Sequence, residues 1–124
     1  MKIKQIAEKY KLSKDDFWEL KRGTRSLWII THDACEKIAA QENIQFGAPT
    51  IYRDGNQDVA IVGDAKRGNK IIWSTGEASP KNCKAPYAFA MAEKRLKDRL
   101  VLKLINAYEY GIYSNSESDS FNKK

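Results

Sequence analysis

The side chains best suited to acid–base or metal chemistry lie around the only histidine of the 124-residue chain, His32. Asp33 follows it directly and Cys35 lies three residues on, so His32 and Cys35 would share one face of a helix. A metal site needs further ligands and an activated nucleophile needs an orienting group, and neither follows at a suitable spacing. The pattern favours a histidine at a helix start beside a core cysteine. The carboxylates and glycines form no catalytic or phosphate-binding motif, so we expect no enzymatic activity, metal or cofactor.

Basic residues occur in two blocks separated by an acidic stretch, within a net charge of +6. Residues 1–26 hold eight Lys and Arg against four Asp and Glu, residues 27–65 hold two against six, and residues 66–103 hold ten against three. Clustered cations bind polyanions because they release counterions, although a solvated face gives the same pattern. The candidate phosphate contacts are Lys66, Arg67, Lys70, Lys81, Lys84, Lys94, Arg95 and Arg99.

A predicted hairpin turn at residues 66–70 concentrates three of these cations, and both a solvated turn and a phosphate-gripping finger fit it. Trp73 and Tyr87 lie beside basic residues and are candidates for stacking on the bases of a single strand. Trp73 also alternates with Ile71, and this alternation favours a core position for the tryptophan.

The elements that must position these residues are a sheet and a long helix. Alternating apolar residues predict strands over residues 44–52, 59–65 and 70–75, joined by short turns. An apolar stripe at three- and four-residue steps predicts one helix from Tyr87 to about Tyr110. The predicted fold class is α+β: a three-stranded antiparallel β-meander packed by a long C-terminal helix, with N-terminal helices.

The N-terminal part predicts two helices, over residues 2–10 and from a cap at Ser13 to an end at Gly23. They resemble a weak helix-turn-helix. A further helix begins after a cap at Thr31 or Asp33. We therefore expect an N-terminal helical segment over 1–26, a core over 27–113 and a flexible polar tail over 114–124.

Compartment and membrane signals point to the cytoplasm. The two cysteines, Cys35 and Cys83, fit no paired motif, so reduced thiols are expected. The sequence contains no apolar run near the roughly 18 residues of a membrane span and no secretory signal pattern.

The order helix, three-strand meander, long basic helix resembles the core of the Rad-fifty-two-like single-strand annealing proteins, which occur in phages and eukaryotes. The resemblance covers about residues 31–113 and is best over residues 73–79 and 91–100. It implies annealing of complementary strands without a nucleotide cofactor, a homo-oligomeric ring, and single-stranded DNA in an outer basic groove. Lys66, Arg67 and Lys70 would then lie near the groove on the hairpin, with Lys94, Arg95 and Arg99 on the helix side.

The predicted function is single-stranded DNA binding and strand annealing in phage-type homologous recombination, without catalysis. A single chain of this size offers few phosphate contacts, which favours an oligomer. Two alternatives remain open at this point. One is a small duplex DNA-binding regulator of the helix-turn-helix type, and the other is a basic protein-interaction or inhibitory module.

Overall fold

The computed structural model describes residues 3–54, 58–79 and 88–117. These residues form helices and two sheets. Its helices are α1 (Ile3–Tyr10), α2 (His32–Gln41) and α3 (Ala88–Leu104), with 3-10 turns at Lys14–Asp16, Ala107–Tyr110 and Asn115–Glu117. Its strands are β1 (Phe17–Arg22), β2 (Arg25–Ile30), β3 (Gln45–Phe46), β4 (Thr50–Asp54), β5 (Asp58–Arg67), β6 (Lys70–Ala78) and β7 (Ile112–Ser114). The predicted α+β class is confirmed.

The larger sheet is antiparallel, with β5 in the middle. Strand β6 pairs along one side of β5, while β3 and β4 share the other side. The predicted first strand is thus in two pieces, interrupted around Pro49, which has no N–H to donate to a ladder. The β5–β6 hairpin turns at Gly68, whose φ of +59° suits a tight turn. The predicted meander is therefore matched in part.

Helix α3 lies across one face of this sheet, at a distance set by Gly76. A Cβ on Gly76 would lie 2.1 Å from the carbonyl oxygen of Ala92 and 2.6 Å from the amide nitrogen of Leu96. The helix backbone therefore rests directly on β6. The predicted apolar stripe is buried from Ala92 to Leu104, but the helix ends at Leu104 rather than near Tyr110. It ends there because Asn106 takes a left-handed φ of +58°.

The second sheet overturns part of the N-terminal prediction. Residues 17–22, predicted as a helix, form β1, which pairs antiparallel with β2. Gly23 has a φ of +60°, a conformation that ends a helix and equally turns a hairpin, so the glycine alone did not distinguish the two. The helix-turn-helix interpretation is wrong, and the expected boundary at residue 26 falls inside β2.

The chain returns to this second sheet at its C-terminal end. Strand β7 pairs in parallel with β2, which makes the sheet mixed. Ser114 is fully buried on β7, so the expected flexible tail does not begin at residue 114. Residues 118–124 lie outside the described part of the chain.

Helix α2 joins the two sheets by packing on α3, and α1 packs on α2 in turn. Thr31 is its N-cap, with the side-chain Oγ1 accepting from the amide of Ala34 at 3.0 Å. Cys35 and Ile38 are buried as predicted. Among the described residues, no helix combines the length and the apolar character needed to cross a membrane.

Candidate nucleic-acid interface

One face of the larger sheet is covered by α3, and the other carries the candidate interface. Strand pairing places alternate residues of β4, β5 and β6 on this second face, which we call the open face. Its members are Thr50, Tyr52, Asp58, Ala60, Val62, Asp64, Lys66, Ile71, Trp73, Thr75 and Glu77.

Trp73 is the most exposed large apolar side chain of the described residues, at 67 %. The prediction that favoured a core position for it is wrong, and the alternative of a surface aromatic describes its position. Ile71 on the same strand is 64 % exposed, and Tyr52 on β4 is 59 % exposed. An antiparallel sheet with one packed face and one solvated face normally presents polar residues to solvent, so this apolar group is unusual.

Exposed lysines border this aromatic group. Lys66 lies on the open face opposite Ile71, whereas Lys70 pairs with Arg67 and therefore starts β6 on the covered side, exposed at the hairpin end. The Nζ of Lys70 lies 3.4 Å from the side-chain oxygen of Asn106, and the Nζ of Lys103 lies 3.4 Å from the carbonyl oxygen of Trp73. These contacts are long and exposed, so the ammonium groups keep most of their hydration and remain accessible to a phosphate.

Arg67, in contrast, points to the covered side of the sheet. Its Nε donates to Glu42 at 3.2 Å, and its Nη1 donates to the carbonyl oxygen of Leu104 at 3.1 Å. The pKa of Glu42 is lowered, first by a hydrogen bond from Tyr10 and then by the charge of Arg67. The three cations of the hairpin therefore differ in role: Arg67 holds the turn against the helices, Lys66 is exposed on the open face, and Lys70 is exposed beside Arg67 on the covered side.

Two of the predicted helix-side phosphate contacts are internal. Arg95 is 4 % exposed, and its guanidinium donates to the carbonyl oxygens of Glu77 at 2.7 Å and Ser116 at 2.9 Å. Arg99 donates to the carbonyl oxygen of Thr75 at 2.8 Å and to both carboxylate oxygens of Glu77. The interpretation of Arg95 and Arg99 as surface cations is corrected accordingly.

These two arginines and Lys103 form what we call the cation row. They are spaced four residues apart on α3 and reach the carbonyl oxygens of Glu77, Thr75 and Trp73, spaced two residues apart on β6. Four residues of helix rise about 6 Å and two residues of strand rise about 6.8 Å, so the two spacings agree. The cation row thereby occupies the outer edge of β6, which otherwise offers unpaired carbonyl groups to another strand.

The remaining predicted contacts are placed as follows. Lys94 is exposed on α3; the hydrogen bond to Asp98 raises the pKa of His32, and the charge of Lys94 opposes that rise. Lys81, Lys84 and Tyr87 lie outside the described residues.

A second polar cluster, the Asp98 cluster, lies on the side of α3 that faces away from the larger sheet. Asp98 is completely buried, and its carboxylate is 2.6 Å from His32 Nδ1, 2.5 Å from Ser114 Oγ and 3.0 Å from Ser116 Oγ. Burial, and then the charge of Asp98, raises the pKa of the neighbouring Cys35 thiol. The cluster joins the start of α2, the middle of α3 and the C-terminal β7 segment.

The order of groups in this cluster differs from that of a catalytic triad. A triad places histidine between a carboxylate and a nucleophile, so that the histidine can take the nucleophile's proton. Here Asp98 is central, and Ser114 donates to the carboxylate rather than to the ring. The other ring nitrogen of His32 lies 3.0 Å from Glu36 Oε1. The arrangement neutralises a buried charge, and we interpret its role as structural.

The Asp98 cluster predicts a pH dependence of stability. The hydrogen bond to Asp98 raises the pKa of His32, against the effect of burial. A raised pKa means that the protonated ring stabilises the fold fully below about pH 6.5, its unfolded pKa, and that this contribution is lost as pH rises through the folded pKa. We expect the free energy of unfolding, measured by urea denaturation, to fall between pH 6 and 8. His32→Gln should flatten that fall, and an unchanged slope would contradict the assignment.

Sequence reasoning missed Tyr52, Ile71 and Lys103 as members of the interface. Tyr52 and Ile71 carried an alternation signal, but it was assigned to the buried face. The link between His32 and Asp98 spans 66 positions and had no local signal. Comparison with protein-family models and with curated proteins found no match for this chain.

Proposed function

We propose that this protein binds single-stranded nucleic acid, with single-stranded DNA as the expected ligand, on the open face of its larger sheet. The observation that carries the proposal is the exposure of Trp73 on the open face of β6, with Lys66 on the same face, Lys103 at the edge of β6 and Lys70 at the hairpin end. Nucleic-acid bases stack on such aromatic platforms whatever their sequence, while nearby cations hold the phosphates.

The geometry supports a short footprint. Tyr52 and Trp73 lie two strands apart and about four residues apart along the strands, which corresponds to roughly 16 Å. Both rings belong to one face, so one strand of nucleic acid can contact both, with its phosphates held by the lysines at the hairpin end near Trp73. A binding surface this small favours several copies acting together, and we propose that an assembled homo-oligomer aligns and anneals complementary strands, as in phage-type recombination.

Replacing Trp73 by alanine should weaken binding of a fluorescein-labelled thymidine 12-mer by about tenfold or more, because one stacked base contributes about 1–3 kcal/mol. Fluorescence anisotropy measures the dissociation constant directly. Trp18→Ala is the matched control, because Trp18 is a tryptophan on the other sheet with 38 % exposure. The control should bind like the unchanged protein. Equal loss in both variants, or no loss in Trp73→Ala, would refute the assignment of the face.

The same titrations test the class of ligand. Three lysine–phosphate contacts give a slope of about −2 in a plot of log K against log salt for a single strand. Duplex DNA, with its bases enclosed, should bind at least about tenfold more weakly than the single strand, and an RNA 12-mer distinguishes DNA preference from general single-strand binding. Tighter binding of duplex than of single strand at every salt concentration would overturn the proposal.

A second candidate function has one observation in its favour. Ile71 and Trp73, two residues apart on β6, form an exposed apolar pair of the kind found at protein interfaces. A protein-interaction or inhibitory module therefore remains the alternative. It predicts that Trp73→Ala leaves nucleic-acid affinity unchanged.

A further inference from the structure

Asp64 lies directly opposite Trp73 where β5 pairs with β6, and both side chains are exposed on the open face. Directly opposed residues on a sheet have Cβ atoms about 5 Å apart, so the edge of a base stacked on Trp73 lies within reach of the Asp64 carboxylate. Within the ranges 3–54, 58–79 and 88–117, no hydrogen bond or ion pair holds that carboxylate.

The other acids of this face are placed differently. Glu77 is held by two hydrogen bonds from Arg99, at 2.8 and 2.9 Å. Asp58 begins β5 at the far end of the sheet, opposite Asp54. Asp64 is thus the acid directly across from Trp73 in the register, with its hydrogen-bonding capacity unused.

A carboxylate in this place has a chemical preference. It repels phosphate, which directs the nucleic-acid backbone to the bordering lysines and leaves the bases to face Asp64. It accepts hydrogen bonds from N–H groups on base edges. The carboxylate rests over Gly47 on the β3 side of β5, where a Cβ would lie 2.0 Å from Asp64 Oδ1, and a change of rotamer of this exposed side chain turns it toward Trp73.

We propose that Asp64 selects among the bases that stack on Trp73 and favours guanine over thymine or uracil. This inference rests on the proposed function. Guanine presents two adjacent donors, N1–H and the N2 amine, which match the two carboxylate oxygens in a paired arrangement. Thymine and uracil present one N–H between two carbonyl oxygens, and those oxygens are repelled by the carboxylate. Adenine and cytosine, with one exocyclic amine each, should fall between.

The experiment compares a 12-mer of alternating thymidine and guanosine with an all-thymidine 12-mer by fluorescence anisotropy, so that every register offers a guanine. We expect about five- to tenfold tighter binding of the guanosine-containing strand. Inosine in place of guanosine removes the N2 amine but keeps N1–H, and it should give an intermediate affinity.

Two charge-matched variants identify the source of the preference. Asp64→Asn should bind both strands more tightly, because a negative charge is lost, and should reduce their affinity ratio to about two or less. Asp58→Asn removes the same charge from the other end of β5 and should raise both affinities while leaving the ratio unchanged.

The possible failures are distinguishable. Equal affinity of the unchanged protein for the two strands overturns the role of Asp64 and leaves single-strand binding intact. A ratio that survives in Asp64→Asn overturns it as well. Absence of binding to either strand removes the proposed function, and the base preference with it.

Discussion

Replacing Asp98 by alanine is expected to lower the free energy of unfolding by about 3 kcal/mol, because a fully buried carboxylate with several partners is lost. The Ser114 hydroxyl loses the carboxylate that accepts its hydrogen bond, and the His32 ring loses the hydrogen bond that raises its pKa. Three segments that meet at this carboxylate are then held together by packing alone. Urea denaturation at pH 6.5 measures the difference.

The control for this variant is Glu36→Ala. Glu36 contacts the other nitrogen of the same histidine, but its side chain is 52 % exposed, so its removal should cost less than about 1 kcal/mol. Asp98→Asn, which keeps the shape but removes the charge, should fall between the two. A loss below about 1 kcal/mol in Asp98→Ala would show that the cluster contributes little to stability.

Adding one methyl group at Gly76 is expected to cost about 3 kcal/mol or more. The new Cβ would overlap the backbone of α3, and backbone atoms, unlike the end of a flexible side chain, cannot turn aside. The helix must lift from β6, which opens the core along its length and stretches the cation row. Thermal unfolding of Gly76→Ala, followed by circular dichroism, measures the loss.

Gly63→Ala provides a control on the same face of the same sheet. A Cβ at Gly63 would lie 3.0 Å from the Cδ2 atom of Leu96, a side chain that can move, and at ordinary contact distance, 3.7 and 3.8 Å, from Pro49. We expect a change within about 1 kcal/mol of the unchanged protein. Similar losses at the two glycines would indicate that any added bulk under α3 is harmful, rather than contact with its backbone.

The close approach of α3 also explains why the two faces of β6 were exchanged in the sequence interpretation. A helix that rests on a strand requires small residues beneath it, and Ser74 and Gly76 supply them. The covered face of β6 therefore has polar residues in the sequence, while the open face, with Ile71 and Trp73, has the apolar residues typical of a core. Alternation predicted the strand correctly, but the polarity of its residues indicated the wrong side.

Sequence patterns correctly predicted the features that depend on interactions between residues close together in the sequence. The hairpin at Gly68, the cap at Thr31 and the apolar stripe of α3 depend on spacings of two to four residues. The roles of Arg95 and Arg99 depend on β6, about twenty residues away, and their spacing is the same whether they face solvent or a strand edge. The pairing of β2 with β7 depends on still longer separations and was missed for that reason.

The cation row has a consequence for how copies of this chain can assemble. A ring built by continuing one sheet into the next requires heterologous contacts, in which the β6 edge of one copy receives the opposite edge, β4, of its neighbour. The β6 edge is occupied by the chain's own helix, so only the β4 edge can pair with another copy. Two copies that pair through their β4 edges form a symmetric dimer, and no further copy can be added. A ring of this protein must therefore join its subunits through the smaller sheet or through side-chain surfaces. The open face of the larger sheet then lies outside the subunit interface and can contribute to a shared groove.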